Sequence, residues 1–304
     1  MKKRICAAAW ILLMAGLCSG CGGGTQGNGS SAAGGSSQLE SSAVSAESGG
    51  IAWDDELNVD FTHDYSEEIR ADVDRAASDA ETFQQELENV ERLSRRYAPL
   101  AETAQTQGEM NVASMWLFTI WETELDTLWD RAADQQTEAL AERESWTAMR
   151  EEAALLSVGS SEENGSMYPL LRNSFLEEAT RDRAYLLAAG LAEEQGQPFD
   201  LPERSEKYGL FADGQRTGGM DRYLLTRQGW EGADEAAISF PGRDELNGTF
   251  ADGGNGELAF TADDGSVKGV IRIDGWDGAR FEVTEAADGS PFSAGETAEF
   301  PIVF

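Results

Sequence analysis

The chain has 304 residues with 40% hydrophobic content, enough for one large or two ordinary domains, and this excludes disorder throughout. Its 23 Lys and Arg against 56 Asp and Glu give a net charge of −33, which repels nucleic acid. Two readings of that charge remain: attraction of cationic partners, or solubility of an exported protein.

Lys2, Lys3 and Arg4 precede an apolar run over residues 5–17, the length of a secretory signal and too short for a spanning helix. Ser19 and Gly20 then lead into Cys21, as in a bacterial lipobox, although Cys18 stands where Leu is usual. The competing reading is an ordinary signal ending in a chance cysteine. Lipidation of Cys21 would attach the protein durably to a membrane, on its extracytoplasmic side. Cleavage before Cys21 removes three cations and no acid, taking the net charge from −33 to −36. Residues 22–50 are nearly all Gly, Ser, Ala and Gln, a flexible tether.

Residues 51–205 read as helical. Ile69, Val73, Ala76, Ala80, Phe83, Leu87, Val90, Leu93 and Tyr97 recur at three- and four-residue steps, with Asp64 and Glu67 as a capping box and Pro99 as the end. A second pattern runs from Met110 to Ala132, and a third from Leu140 to Leu156. Residues 157–166 break the series, after which Ser166 is expected to cap a fourth helix with Pro169 in its first turn.

Residues 206–304 change period. Asp-Gly and Asn-Gly turns punctuate alternating pairs such as Leu258 and Phe260, Ile271 and Ile273, and Phe281 and Val283. The expected architecture is α+β and segregated: an antiparallel helical bundle, then a small antiparallel β-meander domain of five to seven strands, half-buried on one face. The domains expected are residues 1–21 (signal), 22–50 (tether), 51–205 (helical) and 206–304 (all-β).

Little of this points to catalysis. All three cysteines lie within the first 21 residues and His63 is the sole histidine, so no His cluster and no retained thiol is expected beyond a lipidated Cys21. Carboxylate pairs are too abundant for any two to mark a glycosidase. The loops at 252–257 and 274–278 lack the ligand spacing of a calcium loop and read as hairpin turns. The expectation is therefore a protein that is not an enzyme, without catalytic residues, metal or cofactor.

One stretch carries a more specific pattern. Leu125 and Asp126 are followed by Trp129; Trp146 and Arg150 form Trp-x-x-x-Arg; Gly165 and Ser166 precede Thr180 and Arg183. In this order and spacing, residues 107–187 resemble the helical module of LprI-type lysozyme inhibitors, found in exported bacterial lipoproteins. The family's cysteines would fall at or near Ala113, Ala154 and Phe175, as though a disulfide-braced core had become a hydrophobic one. The resemblance implies binding and blocking of a cationic lysozyme, with a cell-envelope interaction module of the same fold and another partner as the alternative. Trp146 and Arg150 lie one helical turn apart on one face. Trp146 reads as a core anchor between helices, and Arg150 and Arg183 as structural ion-pair partners of the abundant acids.

Overall fold

The computed structural model describes residues 60–135, 138–204, 207–213, 220–229 and 232–304. The signal segment, Cys21 and the tether lie outside the described residues. Among the described residues, six α-helices, α1 (Ser66–Ser78), α2 (Phe83–Thr103), α3 (Gln107–Gln135), α4 (Glu138–Val158), α5 (Ser161–Asn164) and α6 (Tyr168–Glu194), precede nine strands. The strands are β1 (Gly209–Ala212), β2 (Tyr223–Arg227), β3 (Asp234–Ser239), β4 (Leu246–Gly254), β5 (Glu257–Ala262), β6 (Val267–Ile273), β7 (Ala279–Ala286), β8 (Thr297–Phe300) and β9 (Ile302–Val303). The protein is α+β, helices first and antiparallel strands after.

Successive long helices run antiparallel. Early Glu86 of α2 pairs with late Arg131 of α3, and early Arg143 of α4 with late Asp126 and Asp130 of α3. By contrast, α3 and α6 run parallel, because Asn173 early in α6 bonds to Asn111 and Ser114 early in α3. The apolar repeats supply the buried faces: Ile69 and Val73, Leu87 and Val90, Ile120, Leu125 and Leu128, and Leu176, Ala184 and Ala188.

Several helix limits differ from the sequence expectation. The pattern from Asp64 to Tyr97 is two helices, because Thr82 is extended and accepts a hydrogen bond from Gln85 N (3.2 Å), opening α2 anew. Pro99 lies inside α2, four residues before its end, where its missing N–H costs one hydrogen bond of a last turn. Asp64 acts alone, accepting from Ser66 N at 3.0 Å. The capping box lies instead at Ser160 and Glu163, on short α5. Ser166 sits in a 3-10 turn over Gly165–Met167, and α6 starts at Tyr168 with Pro169 in its first turn.

The nine strands form one sheet in the order β8-β7-β6-β5-β4-β3-β2-β1-β9, more strands than expected. The first three strands precede the Asp-Gly turns that signalled the others. The two ends of this order, β8 and β9, are separated only by Pro301, so the sheet curls round until its edges meet. Pro301 divides one closing stretch that pairs with β7 through β8 and with β1 through β9. This is an up-and-down barrel without a free edge.

Phe211, Phe250, Phe260, Phe281 and Phe300 fill its interior together with smaller aliphatic side chains. Two glycines make room for the rings. A Cβ on Gly269 would lie 2.3 Å from the Phe281 ring, and one on Gly248 2.7 Å from the Phe260 ring. The lumen is thus a packed core, as in small barrels generally.

Alternation along β1 and β2 joins barrel to bundle. Phe211 and Leu224 face the barrel core, whereas Leu210, Ala212, Tyr223 and Leu225 belong to the hydrophobic core of the helices. All the residues of β2 except Arg227 are buried, which a free-standing half-buried sheet would not require. The connecting stretch is held on both sides. Gln197 Oε1 accepts from Phe83 N (3.2 Å), Asp200 N donates to Gln84 Oε1 (3.0 Å), and Trp276 Nε1 donates to Pro202 O (2.7 Å). Arg204 pairs with Asp182 of α6, and both side chains are over nine-tenths buried.

Candidate functional site

The motif residues converge where α3, α4 and α6 meet. Trp146 is buried at 2% exposure, and the Arg150 guanidinium lies 5.0 Å from the centre of its ring and 5.4 Å from that of Phe118. Arg150 donates to Thr180 Oγ1 on α6 (2.9 Å) and to Glu122 Oε1 on α3 (3.2 Å). One guanidinium therefore ties three helices together. Its planar fork can stack and donate at once, which a lysine ammonium cannot do. Thr180 is fully buried, and its hydroxyl is satisfied by that arginine.

A second clamp lies on the same side. Arg183 of α6 rests 5.0 Å from the Trp129 ring centre and pairs with Glu142 of α4. Leu125 and Trp129 are buried on α3, while Asp126 on its exposed side accepts from Arg143 at 2.6 Å. Burial holds the Asp126 carboxyl above its ordinary value, against the opposing pull of Arg143. Gly165 takes a positive φ of 54° at the turn into α6, and Ser166 O accepts from Asn111 Nδ2 (3.2 Å). Of the positions at or near which the family's cysteines are expected to fall, Ala113 and Ala154 are each 2% exposed, and Phe175 packs against the helical core.

Sequence reasoning missed the acids that complete these clamps, Glu122 and Glu142, because neither has a local spacing to its arginine. It also missed Glu124, which is fully buried on α3. Among the described residues, no partner lies within ordinary hydrogen-bond geometry of either Glu124 carboxyl oxygen. Across the helix pair, buried Glu86 takes the available arginine, Arg131, with one contact of 2.7 Å. Burial first, and the Glu86 charge second, push the Glu124 pKa well above the ordinary carboxylate range, which favours its neutral form in the fold. On α6, burial similarly raises Glu177 to about 7.

A pH dependence follows. Because the folded Glu124 pKa exceeds the unfolded one, its contribution is complete below about pH 4.5 and is lost as pH rises through the raised folded value. Glu124→Gln keeps the neutral form at every pH. Urea midpoints should therefore show the variant gaining on wild type between pH 5 and pH 8. An equal offset at both pH values would mean that ionised Glu124 is what the fold uses.

The remaining predicted features are peripheral. His63 bonds to Glu68 (2.9 Å) and sits against Tyr65 beside the first helix. Among the described residues, no group of three or more His, Cys, Asp or Glu is placed to hold a metal ion, and no helix is long and apolar enough to cross a membrane.

Fold and clamps together define a helical bundle with structural Trp–Arg locks, joined to a packed barrel. Residues 100–187, from the end of α2 into α6, match the family model described as lysozyme inhibitor LprI, an inhibitor family. All nine motif residues fall within that match. No curated protein and no solved structure matches the chain.

Proposed function

We propose that this chain is a lipid-anchored, extracytoplasmic binding protein, not an enzyme, that blocks a cationic lysozyme. The observation that carries the reading is the inhibitor-family match over α3 to α6. Net charge supports it independently: a protein at −33, or −36 once its signal is removed, steers basic partners over a Debye length of about 10 Å at 0.1 M salt. The experiment is inhibition of a basic lysozyme, expected at low salt and weakening as ionic strength rises.

Attachment rests on Cys21, the short apolar run before it and the Gly/Ser tether after it. Cys21→Ser is expected to abolish lipid labelling and to move the protein out of the membrane fraction. If the variant stays membrane-bound, the apolar run itself is the anchor. The barrel lies outside the family match, and this favours a second reading: an envelope interaction module of the same fold with a different partner.

A further inference from the structure

The matched segment hides most of its own surface, and that narrows where a partner can sit. α6 runs through the middle of the molecule, touching α2, α3 and α4 as well as the strap before the barrel. Only five of its 27 residues are exposed, two of them at its last turn. α3 is packed by α1, α2, α4 and α6, and its exposed positions are few: Gly108, Met110 and Met115 toward its start and the row Asp126, Asp130 and Asp134 toward its end. α4 differs: ten of its 21 residues are exposed.

These positions form a stripe. At about 100° per residue, Leu140, Glu144, Thr147, Ala148, Glu151 and Leu155 fall within an arc of about 120°. Opposite them lie Trp146, Met149, Arg150 and Ala153, all buried. Leu140 and Leu155 are 52% and 53% exposed, the two most exposed large hydrophobic side chains among the described residues. They stand about 22 Å apart along the helix axis, with small and acidic side chains between them. Of this stripe, the bundle uses only Glu151 among the described residues, which pairs with Arg172 of α6. Alongside it, α3 presents Asp126 and Asp130, which share Arg143 and widen the acidic border.

We propose that the outer face of α4 is the docking surface for a basic protein, with Leu140 and Leu155 as apolar contacts inside an acidic border. The inference rests on the inhibitor reading above and assigns its surface. Charge complementarity selects the partner. The border carries Glu144, Glu151, Asp126 and Asp130 against Arg143 and Arg172, a face that stays net acidic and meets a cationic surface favourably, whereas an acidic partner or a phosphate backbone is repelled. Covering the two exposed leucines takes apolar surface out of water and adds short-range contact to the steered encounter.

The test uses the full chain in detergent and a basic lysozyme as the probe, measuring inhibition and direct binding. Three forms are compared with wild type: Leu140→Ser with Leu155→Ser, Glu144→Lys, and Glu67→Lys. Glu67 is exposed on α1, which packs on α2 and α3, so it makes the same change of charge away from the stripe. All replaced side chains are exposed, and unchanged thermal midpoints verify the folds. The leucine pair is expected to weaken binding about tenfold or more without altering the salt dependence. Glu144→Lys is expected to weaken it at low salt well beyond Glu67→Lys. If wild type neither binds nor inhibits, the inhibitor reading itself fails. If wild type inhibits and the leucine pair inhibits equally well, the inhibitor reading stands and the α4 surface is wrong. Equal effects of Glu144→Lys and Glu67→Lys, with none from the leucines, would leave only diffuse charge attraction and overturn the proposal.

Discussion

Arg204→Ala should destabilise the protein by about 3–5 kcal/mol and loosen the barrel from the helices. Arg204 approaches Asp182 from the strap between the two parts, and both side chains are over nine-tenths buried. Its guanidinium also lies 5.3 Å from the Trp276 ring centre, and Trp276 in turn packs against Tyr185 of α6 at 6.3 Å. Truncation leaves the Asp182 carboxylate in the interior with Arg181, at 3.6 Å, as its one other ion-pair partner among the described residues. The cost is that of an uncompensated buried charge, well above that of an exposed ion pair. Urea unfolding measures the loss, and limited proteolysis should show cutting in 196–204 that wild type resists. Replacing both partners, Arg204→Met with Asp182→Leu, should recover most of the stability because no charge is then stranded. A loss under about 1 kcal/mol for Arg204→Ala would mean that water reaches Asp182 freely.

Trp146→Ala should cost about 3–5 kcal/mol, the usual range for a buried large aromatic side chain. Its ring is 2% exposed and stacks on Phe304 with centroids 6.4 Å apart and planes 16° apart. The same ring supports the Arg150 guanidinium from α4's own face. Removal therefore opens a cavity, frees the barrel's closing segment and undoes the platform under the three-helix clamp. Two coupled effects are expected: a lower urea midpoint and loss of additivity with Arg150→Met, since the two side chains share one contact. Near-additive losses would separate the clamp from the junction and contradict this arrangement.

Much of the helical part is legible in the sequence. Apolar spacing marks the buried faces of α2, α3, α4 and α6, and the Trp146–Arg150 spacing places both on one helix side. Partners were not legible. With 56 acids in the chain, nothing local singles out Glu122 for Arg150 or Glu142 for Arg183. Such pairs are set by helix packing, not by spacing along the chain. Glu124 is concealed for the opposite reason: an acid among apolar neighbours reads as a surface position until its helix is covered on both sides.

The strands were legible from the Asp-Gly turns onward, but closure was not. It depends on β9, of two residues, reaching β1 across almost the whole β region. Residues 198–204 gave no such signal, because proline and charged residues carry no apolar period. Their role as a strap comes from single contacts, Pro202 O with Trp276 and Arg204 with Asp182, which no pattern announces.

In the function proposed above, an inhibitor-like helical module in an acidic protein blocks a basic lysozyme. Its most direct measurement is the rate of wall hydrolysis by that enzyme, with the protein set beside an acidic scaffold of equal net charge and unrelated fold, at two salt concentrations. This protein is expected to inhibit at concentrations where the scaffold does not, with salt weakening the inhibition without erasing the difference. Equal inhibition by the scaffold would reduce the effect to adsorption by charge and contradict the account.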